Sequence, residues 1–221
     1  MDVRHPYYLL LADMQGSSSL SPEMSTALMQ RLLAVLQVQN TLNAGALAYP
    51  LEVNYGDEFA GLFTAAAPIA ATVTAVRAAL RGVSRFRFVV AHGRIGYAGA
   101  SVREMGGPVF ETASEALTAL KKSGQFGRWL IGDETANIAL DALTNAADSL
   151  LGEMTDYQYD VYRQQRAGLS GVEIAGVLGK DPRSVSKAKK TGHSATIIDI
   201  ETAMEALLAA HDRRKAEGMA T

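Results

Sequence analysis

The chain begins with a short apolar run that predicts a buried strand. Residues 7–12 (YYLLLA) are apolar, and the run ends at Asp13 before a Gly- and Ser-rich stretch that is typical of a loop. Ser21 and Pro22 then provide an N-cap and a first helical residue, and apolar residues follow at helical spacing. The pattern predicts a helix over residues 22–42.

Strand and helix patterns continue through residue 151. Residues 51–55 and 58–63 flank a Gly56-Asp57 turn, which predicts a β-hairpin. The remaining predicted elements are helix 68–82, strand 85–91, a glycine-rich stretch 93–107, helix 109–122, strand 128–131 and helix 133–151. The first six elements follow the order β-α-β-β-α-β, which predicts a ferredoxin-like α+β fold with four antiparallel strands and both helices on one face.

The pattern changes after Gly152, where no further strand is predicted. A helix over 155–167 is followed by a capped helix that starts at Ser170, a turn at 179–181, a helix over 183–190 and a last helix over 197–215. We therefore predict two domains, an α+β domain at 1–151 and an all-helical module at 152–221.

Composition narrows the chemistry that is open to the chain. It has no cysteine, which excludes disulfides, cysteine-based zinc and iron–sulfur sites and thiol nucleophiles. The four histidines are widely spaced, and His92, at the end of an apolar strand, is interpreted as structural. Carboxylates remain as the metal ligands to consider. No apolar run is long enough for a signal peptide or a membrane span, which predicts a cytoplasmic protein without a membrane partner.

The charge of the chain is unevenly distributed. Its formal net charge of −2 argues against general nucleic-acid binding. Residues 1–150 contain 11 bases and 13 acids, whereas residues 180–190 alone contain five bases and one acid. The predicted helix at 183–190 therefore lies in a segment with a local excess of four positive charges.

The elements around this segment predict a helix-turn-helix, in which the second helix lies in the major groove. The predicted contacts between its two helices are Ile174, Ala175, Leu178 and Val185. The predicted DNA-binding residues are Arg183, Ser184, Ser186, Lys187, Lys189 and Lys190. Arg and Ser suit contacts to base edges, and Lys neutralises phosphates. The alternative is a solvated helical hairpin in a bundle.

A pair of aspartates marks the first domain. Asp13 ends the first strand and Asp57 lies at the hairpin, and these strands are neighbours in a ferredoxin-like sheet. Two carboxylates at one edge can hold Mg²⁺ for phosphoryl or nucleotidyl transfer. The alternative is structural, with Asp57 as a turn residue and Asp13 as a cap of the following loop.

Motifs along most of the chain resemble the SatD family. They are residues 56–62 (GDEFAGL), 87–93 (RFVVAHG), 106–110 (GGPVF), 154–158 (MTDYQ) and the series from Glu173 to Lys187. The resemblance implies an N-terminal domain joined to a C-terminal helix-turn-helix. It implies an architecture more than an activity.

The N-terminal half contains residues 11–18 (LADMQGSS) and 56–59 (GDEF). With these two motifs it also resembles, more distantly, the palm-like domain of class III nucleotidyl cyclases and GGDEF diguanylate cyclases. The resemblance implies that Asp13 and Asp57 are the two metal-binding aspartates. The chain departs from these families at Tyr55, which replaces the first glycine of the GGDEF motif. It departs again at Phe110 and Ser114, which replace the Asn and Arg that position ribose and stabilise the transferring phosphate. These departures favour a binding or sensory domain over a catalytic one.

Together these patterns favour a DNA-binding transcriptional regulator with a degenerate, nucleotide-cyclase-like N-terminal domain over an enzyme. The first rival is a metal-dependent nucleotidyl cyclase or nucleotidyltransferase that uses Asp13 and Asp57 with Mg²⁺. The second is a domain that binds a nucleotide without turnover and signals to the helix-turn-helix. A homodimer on double-stranded DNA is expected, because one short recognition helix rarely gives enough specificity by itself. Two such helices in a dimer would bind paired half-sites about 34 Å apart. The last helix has an apolar stripe that supplies the dimer contact or packs on its own module. The stripe consists of Ile197, Ile200, Ala203, Met204, Leu207 and Leu208.

Overall fold

A five-stranded mixed sheet organises the first part of the chain. The computed structural model describes residues 2–54 and 56–219, with the side chains of all of these except Ser18 and Met219. The strands are β1 (Pro6–Met14), β2 (Leu47–Val53), β3 (Glu58–Phe63), β4 (Phe86–Arg94) and β5 (Gly127–Leu130). Their order is β2-β3-β1-β4-β5. The pairs β2–β3, β3–β1 and β1–β4 are antiparallel, and β5 is parallel to β4. The predicted ferredoxin-like α+β fold is confirmed, and β5 extends its sheet by one edge strand.

Four α-helices are interspersed with these strands along the chain, and the last of them comes after β5. They are α1 (Pro22–Leu42), α2 (Ala67–Leu80), α3 (Pro108–Ser123) and α4 (Glu134–Glu153). The side chain of Ser21 accepts a hydrogen bond from the amide of Met24, and Pro22 occupies the first turn, so α1 begins where its capping signal predicts. Helices α1 and α2 pack against each other.

Helix α3 covers one face of the sheet. Its buried residues Val109, Ala113, Leu117 and Leu120 form one stripe, which belongs to a core with Leu9, Leu11, Leu62, Val89 and Ala91 of the sheet. Side chains of the opposite face, such as Leu10 and Val90, are also fully buried. Since successive residues of a strand point to opposite faces, the sheet has a core on both sides.

The chain divides into two compact units, residues 1–141 with 207–221 and residues 142–206. The helices after α4 are α5 (Asp156–Arg166), α6 (Gly171–Leu178), α7 (Pro182–Thr191) and α8 (Ser194–Met219). The domain boundary predicted after residue 151 lies inside α4 and stays a prediction. No helix in the described part of the chain is long and apolar enough to cross a bilayer.

Two histidines, a tyrosine and a lysine form a polar cluster in the first unit. The Tyr8 hydroxyl lies 2.8 Å from Nε2 of His211, and Nζ of Lys215 donates to the His92 imidazole. Burial, together with the nearby charges of Lys215 and His211, lowers the pKa of His92 to about 4. His92 is therefore neutral and accepts a hydrogen bond from Lys215. This arrangement agrees with the interpretation of His92 as a structural residue.

This cluster makes the stability of the first unit depend on pH. Because the pKa of His92 is below its ordinary value of 6.5 in the folded state, the unfolded chain binds the proton more tightly. The stabilisation is complete above pH 6.5 and is lost as the pH falls toward 4. With an allowance for solvent screening of this half-buried group, we expect a loss of about 1 kcal/mol between pH 7 and pH 5.

Urea unfolding at the two pH values measures this loss, and His92→Gln should reduce it because glutamine keeps an acceptor without titrating. The exposed His5 offers the matched control, and His5→Gln should lose as much stability as the unsubstituted chain. An equal loss in all three proteins would contradict the assignment to His92.

Candidate functional site

The two predicted metal ligands lie at the same end of the sheet. Asp13, the penultimate residue of β1, is directly opposite Glu58 on β3 and Arg87 on β4. Asp57 precedes β3 in the hairpin turn, and its carbonyl oxygen accepts a hydrogen bond of 3.1 Å from the amide of Met14. The strand register therefore brings the backbones of Asp13 and Asp57 together, as their places in the predicted sheet suggest.

Each of the two carboxylates already has a partner. Nζ of Lys121 on α3 lies 2.8 Å from Oδ1 of Asp13, which is only 7% exposed. The hydroxyl of Ser17 donates to Oδ2 of Asp57. Burial raises the pKa of Glu58, and the negative charges of Asp13 and Asp57 add to that effect, while Lys121 opposes it. The end of the sheet is thus a carboxylate cluster with one ammonium group in direct contact.

This arrangement does not fit a resident divalent cation. Carboxylate oxygens are suitable ligands for Mg²⁺, but Oδ1 of Asp13 is bound to Lys121. Among the residues that the structure describes, no group of three or more His, Asp or Glu side chains could hold a metal ion. The assignment of Asp13 and Asp57 as metal ligands stays a prediction, and Lys121 weighs against it.

The ion pair of Lys121 was not predicted above, although the spacing of residues on α3 indicates that Lys121 faces the sheet. Lys121 follows Leu117 by four residues, at the same spacing by which Leu117 follows Ala113. Because Ala113 and Leu117 face the sheet, position 121 is the next one on the same side of α3. A lysine at the end of a buried stripe, facing a strand with an acid at its end, predicts an ion pair.

The glycines before α3 serve the local backbone. Gly107 is the N-cap of α3 with a φ of 114°, and Pro108 starts the helix. The amide of Gly96 donates to the carbonyl of Gly106 at 2.6 Å, and a Cβ on Gly107 would collide with Gly96. Of the positions that depart from the cyclase pattern, Phe110 packs half-buried against the core and Ser114 is exposed on α3. Tyr55 lies outside the described residues.

Three short helices of the second unit share one small core. Helices α5, α6 and α7 contact one another, and their buried residues are Val161, Ile174, Ala175, Val185 and Ala188. The predicted contacts Ile174, Ala175 and Val185 belong to this core, while Leu178 is half-buried beside it. A three-residue turn joins α6 to α7, and Gly179 there has a positive φ of 60°. Asp181 caps α7 by accepting from the amide of Arg183.

The burial of Val185 and Ala188 determines which side of α7 is free. At 100° per residue, Arg183, Ser186, Lys187 and Lys190 point away from these two residues, and all four are exposed. Ser184 and Lys189 lie on the flanks, where Ser184 is exposed and Lys189 is half-buried. In the described chain, no carboxylate lies within 4 Å of a cationic group of Arg183, Lys187 or Lys190.

The positive charge of Arg166 on α5 is used inside the second unit. Its Nε donates to Oε2 of Glu201 at 2.7 Å, and the Tyr162 hydroxyl donates to Oε1 of the same carboxylate at 2.8 Å. Burial raises the pKa of Tyr162, and the charge of Glu201 raises it further. This network joins α5 to α8. Arg166 is thus neutralised by a carboxylate, unlike the exposed cations of α7.

Comparisons with known proteins do not assign the chain to a family. No family model and no curated protein sequence matches it, so the SatD resemblance stays a prediction. A bacterial light-regulated adenylyl cyclase has 11% identity and a TM-score of 0.41 over 56% of this chain and 42% of that chain. The guanylyl cyclase Cya2 has 16% identity and a TM-score of 0.36 over 52% of this chain and 70% of that chain.

A regulator of polyketide synthase expression from Bifidobacterium adolescentis has 14% identity and a TM-score of 0.24, with 92% of this chain and 86% of that chain covered. The chain spans less than half the length of the light-regulated cyclase. At TM-scores below 0.5, these likenesses carry no argument about function, and the fold assignment depends on the sheet order itself.

The two carboxylates that meet Arg166 give a matched test of the buried network. Glu201→Ala should lower the free energy of unfolding of the second unit by about 2 kcal/mol, because it leaves the Arg166 guanidinium and the Tyr162 hydroxyl without their acceptor. Glu205 lies 3.7 Å from Arg166 and its side chain is 53% exposed, so Glu205→Ala should cost less than about 0.5 kcal/mol. Urea unfolding measures both values, and equal losses would show that burial does not set the strength of this network.

Proposed function

We propose that this chain is a DNA-binding regulator and that α7 is the helix that enters the major groove. The observation that carries the proposal is the outward side of α7, where Arg183, Ser186, Lys187 and Lys190 are exposed together. The helix itself contains no acidic residue, and the carboxyl group of its cap Asp181 accepts from the backbone of α7. A short, wholly basic surface on a helix held by a neighbouring helix suits a polyanionic partner.

The residue types on α7 suit two kinds of DNA contact, to base edges and to phosphates. Arg183 and Ser184 lie in the first turn, which is the part of a recognition helix that meets base edges. Lys187 and Lys190 lie further along the helix and suit phosphate contacts, while Lys189 contributes from the flank. The solvated-hairpin alternative has no need for three unpaired cations on one side of ten residues.

A homodimer on paired half-sites is part of the proposal, but α8 offers little free apolar surface for it. Within the stripe that suggested a dimer contact, Ile197, Met204 and Leu208 are buried inside the chain itself. Ile197 belongs to a core with Tyr159 and Tyr162 of the same unit. The dimer therefore depends on the need for two half-sites and not on this stripe.

Salt-dependent binding tests the proposal directly. With four or more phosphate contacts, the logarithm of the association constant for duplex DNA should fall with the logarithm of salt concentration with a slope near −3 or steeper. Lys187→Ala with Lys190→Ala should flatten that slope by about two units, because two phosphate contacts are lost.

The control removes the same net charge from the first unit, by Lys122→Ala with Arg213→Ala. Both of these side chains are exposed, and their loss should leave the slope within about half a unit of the original. Fluorescence anisotropy with labelled duplexes measures the slopes. Absence of binding at low salt, or equal slopes for both double variants, would contradict DNA binding by α7.

One observation favours a second candidate function for the first unit, metal-dependent nucleotide binding or nucleotidyl transfer at Asp13 and Asp57. The register of β1 and β3 brings these two aspartates to the same end of the sheet. The candidate predicts turnover of ATP or GTP that needs Mg²⁺ or Mn²⁺ and is abolished by Asp57→Asn. A thermal shift with nucleotide but without product would instead support binding without turnover. No thermal shift and no product would remove this candidate.

A further inference from the structure

Three acidic residues lie at one end of the sheet, and the strand bearing the first of them is buried. Asp13 is 7% exposed, Glu58 is its cross-strand neighbour, and Asp57 immediately precedes Glu58. Like charges opposite each other in a sheet are destabilising, and burial makes each of them more costly. Arg87 is the other cross-strand neighbour of Asp13, on β4, but the cation in direct contact with the Asp13 carboxylate is Lys121.

Helix α3 delivers that cation from a fixed position. Its residues Val109, Ala113 and Leu117 are buried against the sheet, and Lys121 is the next residue on this side. The side chain of Lys121 remains 44% exposed along its length, while the Asp13 side chain that it meets is 10% exposed. Lys121 thus starts at the surface of α3, and its flexible side chain places the ammonium group at a buried carboxylate.

We propose that the ammonium group of Lys121 is a tethered counter-ion that takes the place of a divalent cation beside Asp13. Because it is covalently attached, the ammonium group is present at a high effective concentration, and a free Mg²⁺ or Mn²⁺ ion must displace it before it can bind Asp13. The unsubstituted cluster therefore binds divalent cations weakly, and the cluster without Lys121 binds them well through Asp13 and Asp57. This inference opposes the second candidate function and is independent of DNA binding by α7.

The neighbouring lysine supplies a matched control. Lys122 is exposed and lies off the buried stripe of α3, so Lys122→Met removes the same charge from the same helix end without touching the cluster. Lys121→Met removes the counter-ion and keeps the length of the stem. The double variant Asp13→Asn with Lys121→Met removes both members of the ion pair and should fold without needing a metal ion.

Titration of the full chain with Mn²⁺, with the free ion measured by electron paramagnetic resonance, tests the inference. Lys121→Met should bind one Mn²⁺ at least about 100-fold more tightly than the unsubstituted chain, and about 1 mM Mn²⁺ should raise its melting temperature by several degrees relative to EDTA. The unsubstituted chain, Lys122→Met and the double variant should each shift by less than about 1 °C under the same conditions.

Several outcomes would overturn the inference. Tight Mn²⁺ binding by the unsubstituted chain would show that Lys121 does not occupy the cation position, as would a Lys121→Met protein with no gain in affinity. If Lys121→Met does not fold in EDTA, folding should be recovered by Mn²⁺, and failure of that recovery counts against the inference. Lys121→Gln, measured in the same way, should give the same gain as Lys121→Met, and absence of that gain would also overturn it.

Discussion

The first unit depends on the burial of β1 on both of its faces. Every residue from Tyr7 to Met14 is buried, and both neighbours of the strand, β3 and β4, pair with it in antiparallel register. The backbone groups of such a strand pair with the neighbouring strands. Because its side chains point to both faces of the sheet, both faces must be covered by other parts of the chain. Helix α3 forms one layer, and the burial of Leu10 and Val90 on the other face requires a second.

The same constraint explains why the polar side chains of Asp13 and Tyr8 are each paired with another side chain. Asp13 is the one acid of β1, and an ionised carboxylate at that depth is tolerated only with a cation or several donors. Lys121 meets that requirement. At the other end of β1, Tyr8 is equally buried, and its hydroxyl is paired with His211. Tyr8 and Asp13 on the central strand are therefore each paired with a residue far away in sequence.

Local signals in the sequence predicted most of the elements but not these long-range pairs. The starts of α1, α6 and α7 were predictable because a capping residue and a proline or an acid stand within one turn of each other. The start of β2 was missed, because its pairing with β3 has irregular register and its alternation is broken between Leu47 and Glu52. The contact of Lys121 with Asp13 spans 108 residues, and only the fold decides that α3 crosses the sheet on the face of Asp13.

The charges of α7 contrast with those of the first unit, where cations are used to neutralise buried acids. Arg183 and Lys187 are four residues apart on one helix, and Lys190 follows three residues later, so the cations are neighbours that repel each other by about 0.2–0.5 kcal/mol per pair. Glu201 neutralises Arg166 within the same unit, yet no described carboxylate approaches within 4 Å of these three side chains. The folded chain therefore carries an electrostatic cost on α7, and the polyanionic partner proposed for this helix would relieve it. Sequence changes that remove such a cost without changing the core are readily available. The cations of α7 therefore support the proposal of binding better than a role in folding.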